Sequence, residues 1–140
     1  MAFMFSRSGF GANGAAKNLS IWDVTNVTSM SEMFSGILSD SPQRRLNVLQ
    51  NWDTSNVENM ARMFYYCISN PSIANWNNSN ITNMNDMFRN NTTIKRNLQN
   101  WDVQNVTIFG KIFLFASAML DNYNLPQDGT ASVAQWHTYW

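Results

Sequence analysis

One pattern of apolar and polar positions recurs four times along the chain: Leu-x-x-Trp-Asp-x-x-Asn-Val-x-x-Met-x-x-Met-Phe. Its tryptophans are Trp22, Trp52, Trp76 and Trp101, at intervals of 30, 24 and 25 residues. Three residues before each Trp stands Leu19, Leu49, Ile73 or Leu98, and five after it stands Val27, Val57, Ile81 or Val106. Met30, Met60, Met84 and Phe109 follow at eight, and Met33-Phe34, Met63-Phe64, Met87-Phe88 and Ile112-Phe113 at eleven and twelve. The offsets five, eight, eleven and twelve fall on one face of a helix of about two turns. Thr28, Thr82 and Thr107, with Glu58 in the second copy, stand where an N-cap would be. The segment before it, Leu-x-x-Trp-Asp, is too short for an amphipathic helix and reads as a strand entering a turn.

A strand, a turn and a two-turn helix cannot bury an apolar face alone, because helix nucleation is costly. Neighbouring units must therefore stack. The expected fold class is α/β, a short leucine-rich-repeat-like solenoid of strand-turn-helix units with about four full repeats plus end caps. The chain of 140 residues reads as one domain. Residues 1–17 would be a partial repeat or N-cap, 18–113 the four repeats, and 114–140 a C-terminal cap or tail. Met1-x-x-Met4-Phe5 matches the helical half of a unit, and Trp136, Tyr139 and Trp140 would form an aromatic contact tail.

Composition narrows the function. An apolar fraction of 44% and an aromatic fraction of 14% argue against disorder, while a charged fraction of 13% leaves Asn, Ser, Thr and Gln to supply the polar surface. Nine basic and nine acidic residues cancel, and no basic cluster exceeds Arg44-Arg45, which argues against nucleic acid. The longest apolar stretch, Ile112 to Leu120, is far short of the roughly 20 residues of a membrane span. No secretory signal is expected from Met1 to Ser8.

Chemistry is sparse. Cys67 is the single cysteine and reads as a core residue of its repeat; His137 is the single histidine, so neither a multi-histidine zinc site nor a Ser-His-Asp arrangement is available. No catalytic residue, metal or cofactor is expected. The row Asp23, Asp53, Asn77 and Asp102 could hold a cation or cap a turn, and the neutral Asn77 favours the cap. The row Asn26, Asn56, Asn80 and Asn105 could contact a ligand or bond internally, and its presence in every copy favours the internal role. Sequons at Asn18, Asn26, Asn77, Asn80, Asn90, Asn91 and Asn105 arise mostly because the repeat spells Asn-Val-Thr.

Trp52-Asp53-Thr54-Ser55-Asn56-Val57 with Met60 and Met63-Phe64, and the equivalent stretches of the other copies, resemble the repeat of the BspA-like leucine-rich-repeat family. The resemblance covers residues 18–113. It implies a non-enzymatic role in adhesion or protein contact, on a bacterial, protist or viral surface. If the strands resemble those of leucine-rich repeats, Ile21, Asn51, Asn75 and Asn100 point outward together with Thr25, Ser55, Ser79 and Gln104. That polar strip suits a protein or glycan, and also fits an ordinary solvated face. The expected partners are proteins, either neighbouring subunits of a viral particle or a host surface receptor. A virion or surface-assembly component is the first expectation, and an adhesion module recognising a host protein or glycan the second.

Overall fold

The computed structural model describes residues 19–37 and 46–138. The half unit expected at Met1 to Phe5, and the tail residues Tyr139 and Trp140, lie outside the described residues.

Each unit opens on a tight turn. Short 3-10 helices span Leu19–Ile21 and Leu46–Asn51. In all four copies the Trp amide donates to the carbonyl three residues earlier, on Leu19, Leu49, Ile73 or Leu98, at 3.0–3.2 Å. A second turn follows, closed by Val27, Val57, Ile81 and Val106 donating to the carbonyl of the residue three before at 2.9–3.1 Å. The chain then extends for a single residue, and Ser29, Asn59, Asn83 and Ile108 join neighbouring units as isolated parallel bridges.

The expected α/β solenoid of strand-turn-helix units does not form. Among the described residues there is no strand beyond these bridges. The α-helices of the described residues are Ser117–Tyr123 (α1) and Val133–Trp136 (α2), both beyond the fourth repeat. Where helices were expected, the backbone turns left-handed at Glu32, Arg62 and Asp86, each at φ 55°, and one residue earlier at Gly110 in the fourth copy, at φ 53°. A left-handed residue ends a right-handed helix. It also redirects alternate amides to the neighbouring unit. Met30, Glu32, Phe34 and Gly36 donate to the carbonyls of Asn59, Ala61, Met63 and Tyr65, and Met60, Arg62, Phe64 and Tyr66 to those of Asn83, Asn85, Met87 and Arg89. The three-residue apolar spacing is real, but it belongs to successive three-residue turns.

This register places like residues over like. The rings of Phe34, Phe64, Phe88 and Phe113 stack at 5.7–5.8 Å, and Trp22, Trp52 and Trp76 at 6.4–6.5 Å. Such pairs contribute about 0.5–1.5 kcal/mol each beyond the area they bury. Each indole also finds an acceptor one unit back: Nε1 of Trp52 donates to the Leu19 carbonyl at 2.8 Å, of Trp76 to Leu49 at 2.7 Å and of Trp101 to Ile73 at 3.2 Å.

Residues beyond the fourth repeat continue the same logic. Trp136 stacks on Trp101 at 6.4 Å, donates Nε1 to the Leu98 carbonyl at 3.1 Å and is fully buried. Phe113 donates its amide to the carbonyl of Gly129, where the next unit's carbonyl would stand. Trp136 therefore occupies the position of a fifth repeat tryptophan, delivered by α2 without a fifth motif.

Candidate functional site

The polar edge of the stack is built from the turn after each tryptophan. Asp23 accepts from the amide of Thr25 and Asp53 from that of Ser55, both at 3.0 Å; Asn77 accepts from Ser79 at 3.2 Å and Asp102 from Gln104 at 3.1 Å. These are Asx turns, the local device by which Asp and Asn hold a bend. The side-chain bond to Thr25, then the backbone bond, lowers the Asp23 carboxyl below its ordinary range. Asp53 is lowered in the same way by Ser55, with the neighbouring Asp23 charge opposing. No group of three or more His, Cys, Asp or Glu side chains among the described residues could hold a metal ion.

One residue beyond each bend, an exposed asparagine reaches back to the preceding unit. Nδ2 of Asn56 donates to the Thr25 carbonyl at 2.8 Å, of Asn80 to Ser55 at 2.6 Å and of Asn105 to Ser79 at 2.7 Å. These bonds give the amides their internal role. Among the described residues no donor reaches the Oδ1 atoms of Asn56, Asn80 and Asn105, so each amide leaves an acceptor at the exposed edge. Two residues further, the hydroxyls of Thr82 and Thr107 bond to the carbonyls of Glu58 and Thr82 at 3.3 Å.

Between these rows runs an open polar groove of about 410 Å³, lined by Asn26, Thr28, Asn56, Glu58 and Asn80. It carries one ionisable side chain, Glu58, among uncharged amides and a hydroxyl. Such a surface can exchange hydrogen bonds with a ligand.

The family model for "Mycoplasma protein of unknown function, DUF285" matches residues 36–139, three quarters of the chain. The chain belongs to this family. No curated protein and no solved structure matches it. The matched span of the DUF285 family holds the second, third and fourth units together with Trp136, so the indole that closes the stack lies within the family's own boundaries.

The residues singled out in the sequence differ in exposure. Ile21, Asn51, Asn75 and Asn100 are exposed, Ile21 by 77%. Thr25, Ser55 and Ser79 are half-buried, their amides held by the Asx turns and their carbonyls by the asparagines; Gln104 is exposed. Among the described residues the units carry isolated bridges in place of the strands on which that face was expected. Trp136 is not part of a contact tail, because its side chain is enclosed by Trp101, Phe109 and Phe113. Thr28 and Glu58, at the expected cap positions, have no helix to cap and line the groove instead.

Proposed function

We propose that the chain is a non-enzymatic interaction module of a surface assembly, and that the Asn26-Asn56-Asn80 groove takes an extended segment of a protein partner. The observation that carries this reading is the pair of amide oxygens, on exposed Asn56 and Asn80 of successive units, that no donor among the described residues reaches beside the groove. A ligand laid along the stack meets the same acceptor at each step, which suits a polymer backbone better than a compact substrate. The Trp-Asp-Thr-Ser-Asn-Val spelling of the second unit, with Trp and Asn at the same places in the other three, supports kinship with BspA-like surface proteins. The association of the DUF285 family with Mycoplasma favours a cellular surface over a virion. No helix of the described residues is long and apolar enough to cross a membrane.

The test uses fluorescently labelled chain, wild type and a Thr28→Lys/Glu58→Lys double variant matched by circular dichroism, added to cells of the source organism and to host cells. Saturable binding that the double variant loses at least tenfold supports the groove. Binding to source cells marks an assembly component, and binding to host cells alone marks an adhesin. Binding that ignores both substitutions counts against the site.

A further inference from the structure

A second left-handed position recurs fourteen residues after each tryptophan. Its occupants are Gly36 at φ 74°, Tyr66 at φ 51°, Asn90 at φ 60° and Phe115 at φ 60°. Gly and Asn are the residues this backbone favours, whereas a bulky aromatic side chain is strained there. Two of the four units thus carry an aromatic where the fold asks for something smaller, and the ring is not recovered for the core. Tyr66 is 48% and Phe115 58% exposed. Strain held at an exposed position is a pointer to use.

The row is in register. Gly36 donates to the carbonyl of Tyr65, Tyr66 to Arg89 and Asn90 to Leu114, so the four positions lie one above another. At a rise of about 4.8 Å per unit, Tyr66 and Phe115 stand roughly 10 Å apart along the stack, with Asn90 between them. The Tyr65 ring lies 4.7 Å from Tyr66, edge to face, and the Arg62 and Arg89 guanidiniums flank Tyr65 at 5.7 and 6.0 Å. Both arginines are charge-matched: Arg62 lies 3.5 Å from Glu32 and 3.6 Å from Asp86, and Arg89 3.5 Å from Asp86. The strip is therefore aromatic and polar with no uncompensated charge of its own.

Resting on the reading of the chain as an interaction module, we infer that Tyr66, Asn90 and Phe115 form a binding strip for a neutral, linear glycan. The negative face of an aromatic ring attracts the weakly positive C–H face of a sugar ring, and the Asn90 amide and Tyr66 hydroxyl can meet sugar hydroxyls. Two rings separated by two units match a disaccharide repeat, one ring stacking on alternate sugars. Matched charges disfavour a polyanion, which would need a surplus of cations.

The inference is tested by titrating the full chain with neutral β-1,4-linked hexasaccharides of glucose, N-acetylglucosamine and mannose, with heparin alongside. Wild type is expected to bind at least one neutral hexasaccharide. Tyr66→Asn and Phe115→Asn should each weaken it tenfold or more while leaving Tm equal or higher, because Asn relieves the left-handed strain. Thr28→Lys/Glu58→Lys should leave it unchanged. The inference is overturned by wild type that binds no neutral glycan or only heparin, by variants that bind as wild type does, or by a clear fall in Tm, which would make the aromatics scaffold. Wild type that binds cells but no glycan removes this strip and leaves the interaction module standing.

Discussion

At the scale of single residues, the fold rests on side chains that close their own bends. Asp23 and Asp53 accept from the hydroxyls and amides two residues on, and their lowered carboxyls make those bends sensitive to acid. Because the folded value lies below the unfolded one, the contribution is complete above the ordinary Asp range and is lost as pH falls through the folded value. Tm should therefore hold near neutrality and fall only in strong acid. Asp53→Asn should lessen that fall, since Asn77 makes the same turn without charge; melting curves from neutral pH into acid check both. Cys67 shares its register with Ile37, Asn91 and Ala116, and all four are buried. Cys67→Ala should cost only about 1 kcal/mol, since the fourth unit already uses Ala there. Denaturant titration measures this, and a thiol reagent should leave the folded chain unlabelled.

At the scale of elements, the units were legible in the sequence and their internal structure was not. Trp, Val, Met and Phe at constant offsets disclosed the stack, because every unit must bury the same side chains against its neighbour. The left-handed turns were hidden, since Glu32 and Arg62 are not residues that announce positive φ, Asp86 alone does so weakly, and three-residue spacing reads equally as a helix or as consecutive turns. The Asx turns were legible because Asp-x-Thr and Asp-x-Ser carry their own donors. The groove was not, because Thr28 and Glu58 were assigned to caps of helices that are absent. Where glycine is present, it can be demanding. Gly129 sits at φ 68°, and a Cβ there would run into the Leu114 backbone. Gly129→Ala should break the bond from Phe113, destabilise by roughly 1–3 kcal/mol and loosen the end of the stack first. Hydrogen exchange at Phe113 and Leu114 should speed up before that at Phe34.

At the scale of the whole molecule, the four described units are held by bonds and ring stacking to their neighbours along the stack. Stability then depends on the ends more than in a compact domain. Trp136 covers the fourth unit through rings of Trp101, Phe109 and Phe113 and the Leu98 carbonyl. Trp136→Ala should cost about 3–5 kcal/mol, the range for a large buried aromatic. Thermal unfolding should broaden as the last unit frays before the others; a sharp transition at the wild-type Tm would show that the indole does not close the stack.

The direction of the bonds between units has one more consequence. Amides at Met30, Phe34 and Gly36 point toward the second unit, and those at Met60, Phe64 and Tyr66 toward the third, whereas Glu58, Thr82 and Thr107 point back the other way. One arc of every unit is thus a column of peptide dipoles aimed forward, and another a column aimed in reverse. Within either column, a reversed peptide dipole would set donor against donor on one side and acceptor against acceptor on the other. The molecule has a head and a tail, so evolution can lengthen or shorten it by whole units while reversal of any one is forbidden.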